Sequence, residues 1–540
     1  MIRGGMQHWP LRVHTILDHA ANVHGRQEIV TRSVEGPIHR ITYAEVSRRA
    51  RQVTAALRRL GVQQGDRIAT LAWNTWRHVE IWYGIAGAGA IYHTLNPRLT
   101  DEQIAYIMND ADDRMLFTDL TFVPQLERLR DSCIGKRQII VLTDRAHMPQ
   151  TGLDLLCYED LIAGEDPETP WMEVAESAPV GLCYTSGTTG APKGVLYTHR
   201  SNVLHSLTVQ AAGVLGFNAL TSVLPIVPMF HANAWSIAFS APMAGAKLVM
   251  PGARMDGAGL CDLLDQEGVT FSAGVPTVWI EIINEMRRRG WKPDRLERVV
   301  IGGSACPEWM ISTLEHEFGV EVMHAWGMTE MSPVGSAGII KPEVAQLDEA
   351  GRLQLKLKQG MAIYGVEMRI ADDEGRSLPQ DGKASGRLMV RGPAVVGEYF
   401  KGAGGQVLDE QGWFDTGDLA TIDELGYMQI TDRTKDVIKS GGEWISSVEL
   451  ENIASGHPEV VEAAAIAIPD EKWAERPMVL AVLREGSQLQ PEELRDYLRP
   501  RVARWWLPEQ IRFVDALPHT ATGKLDKKVL RQLYGGVMAQ

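Results

Sequence analysis

The segment DRIATLAWNTWRHVEIWYGIAGAGAIYHTL, Asp66–Leu95, decides the architecture. DRIATLAW reads as a buried strand, the stretch after it as a helix ending at about Gly89, and AIYHTL as the next strand. Strand, helix and strand in succession form the unit of a parallel sheet. Upstream, Thr42 and Glu45 make a capping box ahead of Val46, Ala50, Val53, Leu57 and Leu60, which recur at helical spacing and stop at Gly61. Downstream, Thr100 and Gln103 cap another helix before the strand MLFTD, Met115–Asp119. Alternation continues through VLTD near Asp144 and again from Thr270 to Val300, with no internal repeat of fixed period. The expected fold class is α/β, a large N-terminal domain of parallel sheets layered with helices.

After about Gly360 the texture changes. MAIYGVEMRIADDEG, GRLMVRG and GYMQITD are short alternating segments between Gly and Asp turns, which predicts a β-rich subdomain over about 360–432. A boundary near Asp432 to Lys435 then divides residues 1–432 from a small α+β lid domain over 433–540. Residues 431–540 hold 15 Lys plus Arg against 17 Asp plus Glu, so only −2 of the formal charge of −14 falls there.

The composition narrows the function classes. A chain of 540 residues with 45% apolar and 23% charged residues is ordinary for a soluble protein of several domains. Fifty-four Lys plus Arg against 68 Asp plus Glu leave no basic footprint for a phosphate backbone, so nucleic acid is not an expected partner. Five cysteines without CxxC spacing argue against a zinc site or disulfide framework and fit a reducing cytoplasm. The N-terminus lacks the apolar segment of a secretory signal, so no export is expected. The longest stretch free of Asp, Glu, Lys and Arg, Ser201 to Ala246, is interrupted by Pro225, Pro228, His231 and Asn233. It reads as buried core with a few polar groups facing something, not as a transmembrane span.

The strongest chemical signal is YTSGTTGAPKGV, Tyr184 to Val195, directly after the apolar segment PVGLC. Backbone N–H groups around Gly187 and Gly190 and the hydroxyls of Thr185, Ser186, Thr188 and Thr189 can wrap phosphate oxygens, with Lys193 as a point charge. Pro192 before that lysine and Gly194 after it rule out the Walker spacing and its magnesium-binding hydroxyl. HAWGMTE, His324 to Glu330, offers a flat indole, a turn glycine, a hydroxyl and a carboxylate. By residue chemistry alone this is equally a helix start with Thr329 and Glu330 in its first turn. WFDTGD reads as a tight turn that presents Asp418, whose carboxylate can accept both ribose hydroxyls.

Together these motifs resemble the AMP-forming acyl-CoA synthetases of the adenylate-forming superfamily, almost end to end. The resemblance implies that ATP is held by Thr185, Ser186, Gly187, Thr188, Thr189, Gly190 and Lys193. It adds Gly303, Ser304 and Ala305 of the GGSA segment, and Ala325, Trp326, Gly327, Met328 and Thr329, with Trp326 stacking on adenine and Thr329 touching phosphate. Glu330 is the implied Mg²⁺ ligand, and Asp418 and Arg433 the implied ribose contacts. Lys524, in LPHTATGKLDKKVLR, matches the catalytic lysine. Lys435 matches the domain hinge, where many members carry Asp, and Lys439, Gly441, Gly442, Glu443 and Trp444 match the loop that meets CoA.

The implied chemistry has two half-reactions. A carboxylate attacks the α-phosphorus of MgATP to give an acyl-adenylate and pyrophosphate, and the lid then turns so that the CoA thiol takes the acyl group. In LPIVPMFHANAW, Leu224 to Trp235, Phe230 is followed by His231 where amino-acid-activating relatives carry Asp. An ammonium buried on this wall finds no counter-ion, so an acid with an uncharged tail is favoured. His231 is read either as a ligand of the acyl group or as a satisfied core histidine. The implied acyl pocket comprises His231, Trp235, Gly303 and Trp326, and the two indoles point to a short or medium tail.

The segments Thr70 to Leu99 and FHANAW further resemble the subgroup that activates 3-(methylthio)propionate and medium-chain fatty acids. The alternatives are a long-chain synthetase, a carrier-protein-loading adenylation enzyme and an oxidative luciferase. Related enzymes are often homodimers, which sets the expected assembly.

Overall fold

The computed structural model describes residues 5–135, 137–185, 191–440, 443–470, 472–520 and 524–536. The strands Arg67–Leu71 and Ile91–Thr94 pair in parallel on either side of the helix Trp76–Gly87 in sequence. They sit in a seven-stranded sheet ordered Leu155–Cys157, Gln138–Val141, Met115–Thr118, Arg67–Leu71, Ile91–Thr94, Pro179–Tyr184, Gly194–Thr198. All its neighbours are parallel except the last pair, an antiparallel hairpin. A second, nine-stranded sheet has a parallel centre running from Glu321–Gly327 to Glu28–Arg32 and antiparallel strands at both edges.

The helix Trp76–Gly87 lies inside a single apolar core drawn from both sheets, and every one of its residues is buried. Burial all round requires apolar side chains on every face and partners for each polar one. Thr75 caps the first turn by accepting from the His78 N–H. Glu80 accepts from Arg49 Nε at 2.6 Å and from the Tyr158 hydroxyl at 2.7 Å. Arg77 pairs with Glu35 at 2.7 Å and Glu159 at 2.8 Å. Burial drives the His78 imidazole down to about 4, so it sits neutral between the Trp73 carbonyl and the Thr70 hydroxyl.

The capping boxes at Thr42 and Thr100 form as the sequence predicts, and each opens a helix, Tyr43–Arg59 and Asp101–Ala111. The segment beyond about Gly360 folds into a four-stranded antiparallel sheet, Glu367–Ala371, Gly386–Arg391, Phe414–Ile422 and Met428–Arg433. One local reading is corrected: WFDTGD is not a tight turn. Phe414–Ile422 is a continuous strand, kinked by Gly417 at φ +74°, and its ladder to Met428–Arg433 sets Asp418 opposite Arg433. Residues from Ile438 onward build a further sheet with a core of its own, in which Ile438, Leu450, Val479 and Leu494 are buried together. Among the described residues no helix is long and apolar enough to cross a membrane.

The buried helix reaches the candidate site through one aromatic stack. Trp82 lies on Tyr92, centroids 4.6 Å apart and planes 9° apart, and the Tyr92 hydroxyl donates to Asn233 and accepts from Asn202. Gly181 passes beside this ring, where a Cβ would sit 2.5 Å from Tyr92 Cζ. Gly181→Ala must push the ring out of its stack. We expect it to lower stability by about 1–3 kcal/mol, read as an earlier urea midpoint, and to reduce catalysis through the displaced Asn233.

Candidate active site

The hairpin Pro179–Tyr184 to Gly194–Thr198 holds both ends of the glycine-rich loop in fixed register, with the Thr185 N–H donating to the Lys193 carbonyl at 2.9 Å. Ser186, Gly187, Thr188, Thr189 and Gly190 lie outside the described residues, as do Gly441 and Gly442 and the side chains of Glu443 and Trp444. The Lys193 ammonium rests 5.0 Å from the ring centroid of Tyr399. The same tyrosine donates its hydroxyl to Glu330 Oε1 at 2.8 Å.

HAWGMTE follows neither sequence reading completely. His324 to Gly327 end the strand Glu321–Gly327, and Thr329–Met331 form a single 3₁₀ turn after it. Thr329 and Glu330 are both buried there, fixed by backbone: Tyr197 donates to the Thr329 carbonyl at 2.7 Å and Val396 N–H to the Glu330 carbonyl at 2.7 Å. Burial raises the Glu330 carboxyl above its ordinary range, and the Tyr399 hydrogen bond opposes the shift. Trp326 Nε1 donates to Asp418 Oδ2 at 3.0 Å, and Arg433 Nε lies 3.3 Å from Asp418 Oδ1. Trp326, Asp418 and Arg433 thus form one contiguous edge of the cleft.

Lys524, on the turn closed by the Thr520 N–H to Lys524 carbonyl bond, reaches this edge from the C-terminal sheet. It lies within electrostatic reach of Arg433, Asp418, Glu330 and Lys435, and burial lowers its ammonium to about 8. Lys524 also acts on His231, which is lowered to about 4 first by burial and then by Lys524 and Arg98, hence a neutral imidazole at physiological pH. His231 lines a cavity with Leu95, Leu99, Ile107, Phe230 and Thr185, whose wall contains no carboxylate among the described residues. Trp235 stands elsewhere, over the backbone of Gly302 and Gly303, where a Cβ on Gly302 would meet its ring at 3.2 Å. Gly303 itself has φ +82°, which favours glycine.

The strand containing Ala325 brings Gly302 near its carbonyl, while Ser304 is exposed and Ala305 half-buried at the strand's mouth. Met328 is half-buried between Trp326 and the 3₁₀ turn. Lys435 and Lys439 are exposed, and the Lys439 N–H donates to Glu475 at 2.7 Å. The structure therefore gathers Thr185, Lys193, Thr329, Glu330, Trp326, Asp418, Arg433, Lys524 and His231 around one cleft. Trp326 belongs to its Asp418 edge and not to the lining of the His231 cavity. Sequence reasoning missed Tyr399, Tyr197 and Arg98. Arg98 lies in a segment that reads as plain loop, and the two tyrosines reach Glu330 and Thr329 only through long-range packing.

From Ala232 to Ser236 five consecutive residues have φ between 43° and 69°, all non-glycine and all buried. This left-handed turn carries Asn233 to Tyr92 and Asn202 and aims Trp235 at Gly302.

The comparisons place this geometry among known proteins. The fold is that of the anthranilate CoA ligase AuaEII in its crystal structure with anthranoyl-AMP, at a TM-score of 0.86 and 25% identity over 97% of this chain and 98% of that one. The AMP-binding enzyme model matches residues 17–400 and its C-terminal domain model matches 449–524, so the chain belongs to the AMP-binding enzyme family. It is 46% identical to the 3-methylmercaptopropionyl-CoA ligase of Ruegeria lacuscaerulensis over 98% of each chain. It is also 46% identical to the medium-chain-fatty-acid–CoA ligase of Ectopseudomonas oleovorans over 99% of this chain and 98% of that one.

The Lys524 environment sets a pH dependence. The ammonium is the form that attracts phosphate, and it is lost as pH rises through about 8 in the free enzyme. We expect kcat/KM for ATP to fall along an alkaline limb near that pH. At saturating ATP the bound phosphates favour the ammonium and move the kcat limb higher. A pH–rate profile measured both ways checks this, and Lys524→Arg should erase the limb.

Proposed function

We propose that the protein is an AMP-forming acid–thiol ligase that activates a short- or medium-chain carboxylic acid with an uncharged tail, 3-(methylthio)propionate among its substrates. One observation carries the reading: the Lys524 ammonium lies within electrostatic reach both of Glu330 and Asp418 and of the neutral His231, and His231 lines a cavity whose described wall holds no carboxylate. That arrangement suits a carboxylate meeting an α-phosphate, with the tail pointing away from charge. The two bacterial relatives named above support the substrate class.

In the first half-reaction the Thr185–Lys193 segment holds the phosphates, Trp326 faces the adenine, and Asp418, steadied by Arg433, takes the ribose hydroxyls. Mg²⁺ fits Glu330, a hard oxygen donor. Glu330 would hold it through one carboxylate, since no cluster of three or more His, Cys, Asp and Glu side chains occurs among the described residues. When bound it neutralises phosphate charge. The substrate carboxylate oxygen attacks the α-phosphorus and the bond to pyrophosphate breaks. Lys524 stabilises the charge on phosphorus, and neutral His231 orients the carboxylate by a hydrogen bond without competing for the proton.

In the second half-reaction the C-terminal domain turns about Lys435, withdrawing Lys524 and bringing the Lys439–Trp444 loop to the cleft. The CoA sulfur bonds to the acyl carbon and AMP leaves.

Pyrophosphate release with and without CoA, over methylthiopropionate, butyrate, octanoate, palmitate, benzoate and amino acids, tests the reading. We expect CoA-sustained turnover on methylthiopropionate, butyrate and octanoate and silence on amino acids. Turnover confined to palmitate makes this a long-chain ligase and refutes the tail assignment. Lys524→Ala should cut acyl-AMP formation by about a hundredfold or more while thioester formation from supplied acyl-AMP survives.

A further inference from the structure

A buried chain of hydrogen bonds crosses the hinge, and none of the steps above uses it. Asp432 is the penultimate residue of Met428–Arg433, the last strand of the β-rich sheet, three residues before Lys435. Its Oδ2 accepts from the Ser447 N–H at 2.6 Å and its Oδ1 accepts from the Ser447 hydroxyl at 3.0 Å. The Lys527 ammonium donates to Ser447 Oγ at 2.6 Å and lies 2.7 Å from Glu451 Oε1. That carboxylate also accepts from the Ala465 N–H at 2.8 Å. Asp432 is 1% exposed, Ser447 0% and Lys527 9%, so these bonds work without water to replace them. Every donor runs in one direction, from Lys527 through Ser447 to Asp432.

The chain's ends lie on opposite sides of the hinge. Asp432 belongs to the sheet that carries Asp418 and Arg433, whereas Ser447 opens the helix Ser447–Ser455 and Lys527 opens the helix Lys527–Tyr534. Lys527 is three residues from Lys524, a span of about 10 Å at most. Fixing Lys527 to Ser447 and Ser447 to Asp432 therefore fixes where the Lys524 turn stands relative to Glu330 and Asp418. A second bond next to it, from Ser446 Oγ to the Thr431 carbonyl, closes the same seam. A rotation about Lys435 carries Ser447 and Lys527 away from Asp432 and breaks the chain between Ser447 and Asp432. The bonds inside the small domain, Lys527 to Ser447 and to Glu451, travel with it intact.

We infer that Asp432, Ser447 and Lys527 are positioning residues that latch the C-terminal domain in the orientation delivering Lys524 to the α-phosphate. The inference rests on the two-step reading above. It differs from a packing role because the latch serves one half-reaction only. Removing the Ser447 hydroxyl cuts the link from Lys527 to Asp432 and weakens the seam that holds the adenylation pose, so acyl-AMP formation slows while the thioester step, which needs the other pose, does not.

The experiment measures both half-reactions separately in the full-length protein, with Lys524→Ala as reference. Ser447→Ala and Lys527→Met should each reduce acyl-AMP formation about tenfold and leave thioester formation from supplied acyl-AMP at or above the wild-type rate. Lys527→Arg, which keeps the charge and the donors, should recover part of the loss. Asp432→Asn gives a second route to the same result should either substitution fail to fold. If Lys524→Ala is selective but the latch variants leave acyl-AMP formation unchanged, or depress both half-reactions equally, the latch is overturned and the two-step reading stands. If Lys524→Ala itself depresses both equally, the two-step reading falls, and the latch with it.

Discussion

A helix without a solvent face is the constraint on which the large domain rests. Trp76–Gly87 is enclosed by two sheets, and its Arg77, His78 and Glu80 must be paired where no water reaches. The pairs with Glu35, Arg49 and the adjacent Tyr158 and Glu159 come from three other segments, so the helix cannot shift without stranding a charge. Because the same helix packs on both sheets, it fixes how their carboxyl-terminal ends face one another, and the cleft opens at those ends. The stack of Trp82 on Tyr92, and the hydrogen bonds from Tyr92 to Asn202 and Asn233, carry that fixation to the edge of the site.

The cleft solves a problem posed by composition. A chain of net charge −14 must receive a nucleotide polyanion, which its average field repels. Lys193, Arg433 and Lys524 answer this locally, each from a different part of the chain. They converge beside two buried carboxylates, Glu330 and Asp418. Mixed charge in a partly dry cleft holds strong local fields without a basic surface patch, so a net negative chain is compatible with nucleotide chemistry.

Much of this is legible in the sequence. The capping boxes at Thr42 and Thr100 appear where the sequence puts them, because capping is local chemistry. The change of texture near Gly360 is a real change of sheet, since alternation with period two is also local. WFDTGD departs from that reading for a reason that is not local: Asp-Thr-Gly-Asp has turn propensity, but pairing of Phe414 and Asp415 with Gly386–Arg391 and of Asp418 with Arg433 holds its two ends in sheet and lets Gly417 absorb the kink. HAWGMTE divided between strand and 3₁₀ turn because its partner strand Val334–Ala337 claims only its first half. Tyr399 was invisible for the same reason: a tyrosine 69 positions from Glu330 acquires meaning only when the β-rich sheet folds back.

The left-handed turn Ala232–Ser236 bears on how this protein diversifies. Each non-glycine residue held there costs roughly 1–2 kcal/mol relative to ordinary backbone, and the surrounding packing has to supply that difference. Heritable change in this segment is consequently filtered twice, once for what it does to the cleft beside it and once for whether the turn survives. Insertions, which surface loops accept freely, have no room in a buried run with this geometry. Change at this cavity should therefore accumulate first around Leu95, Leu99 and Ile107, where no residue is held at positive φ.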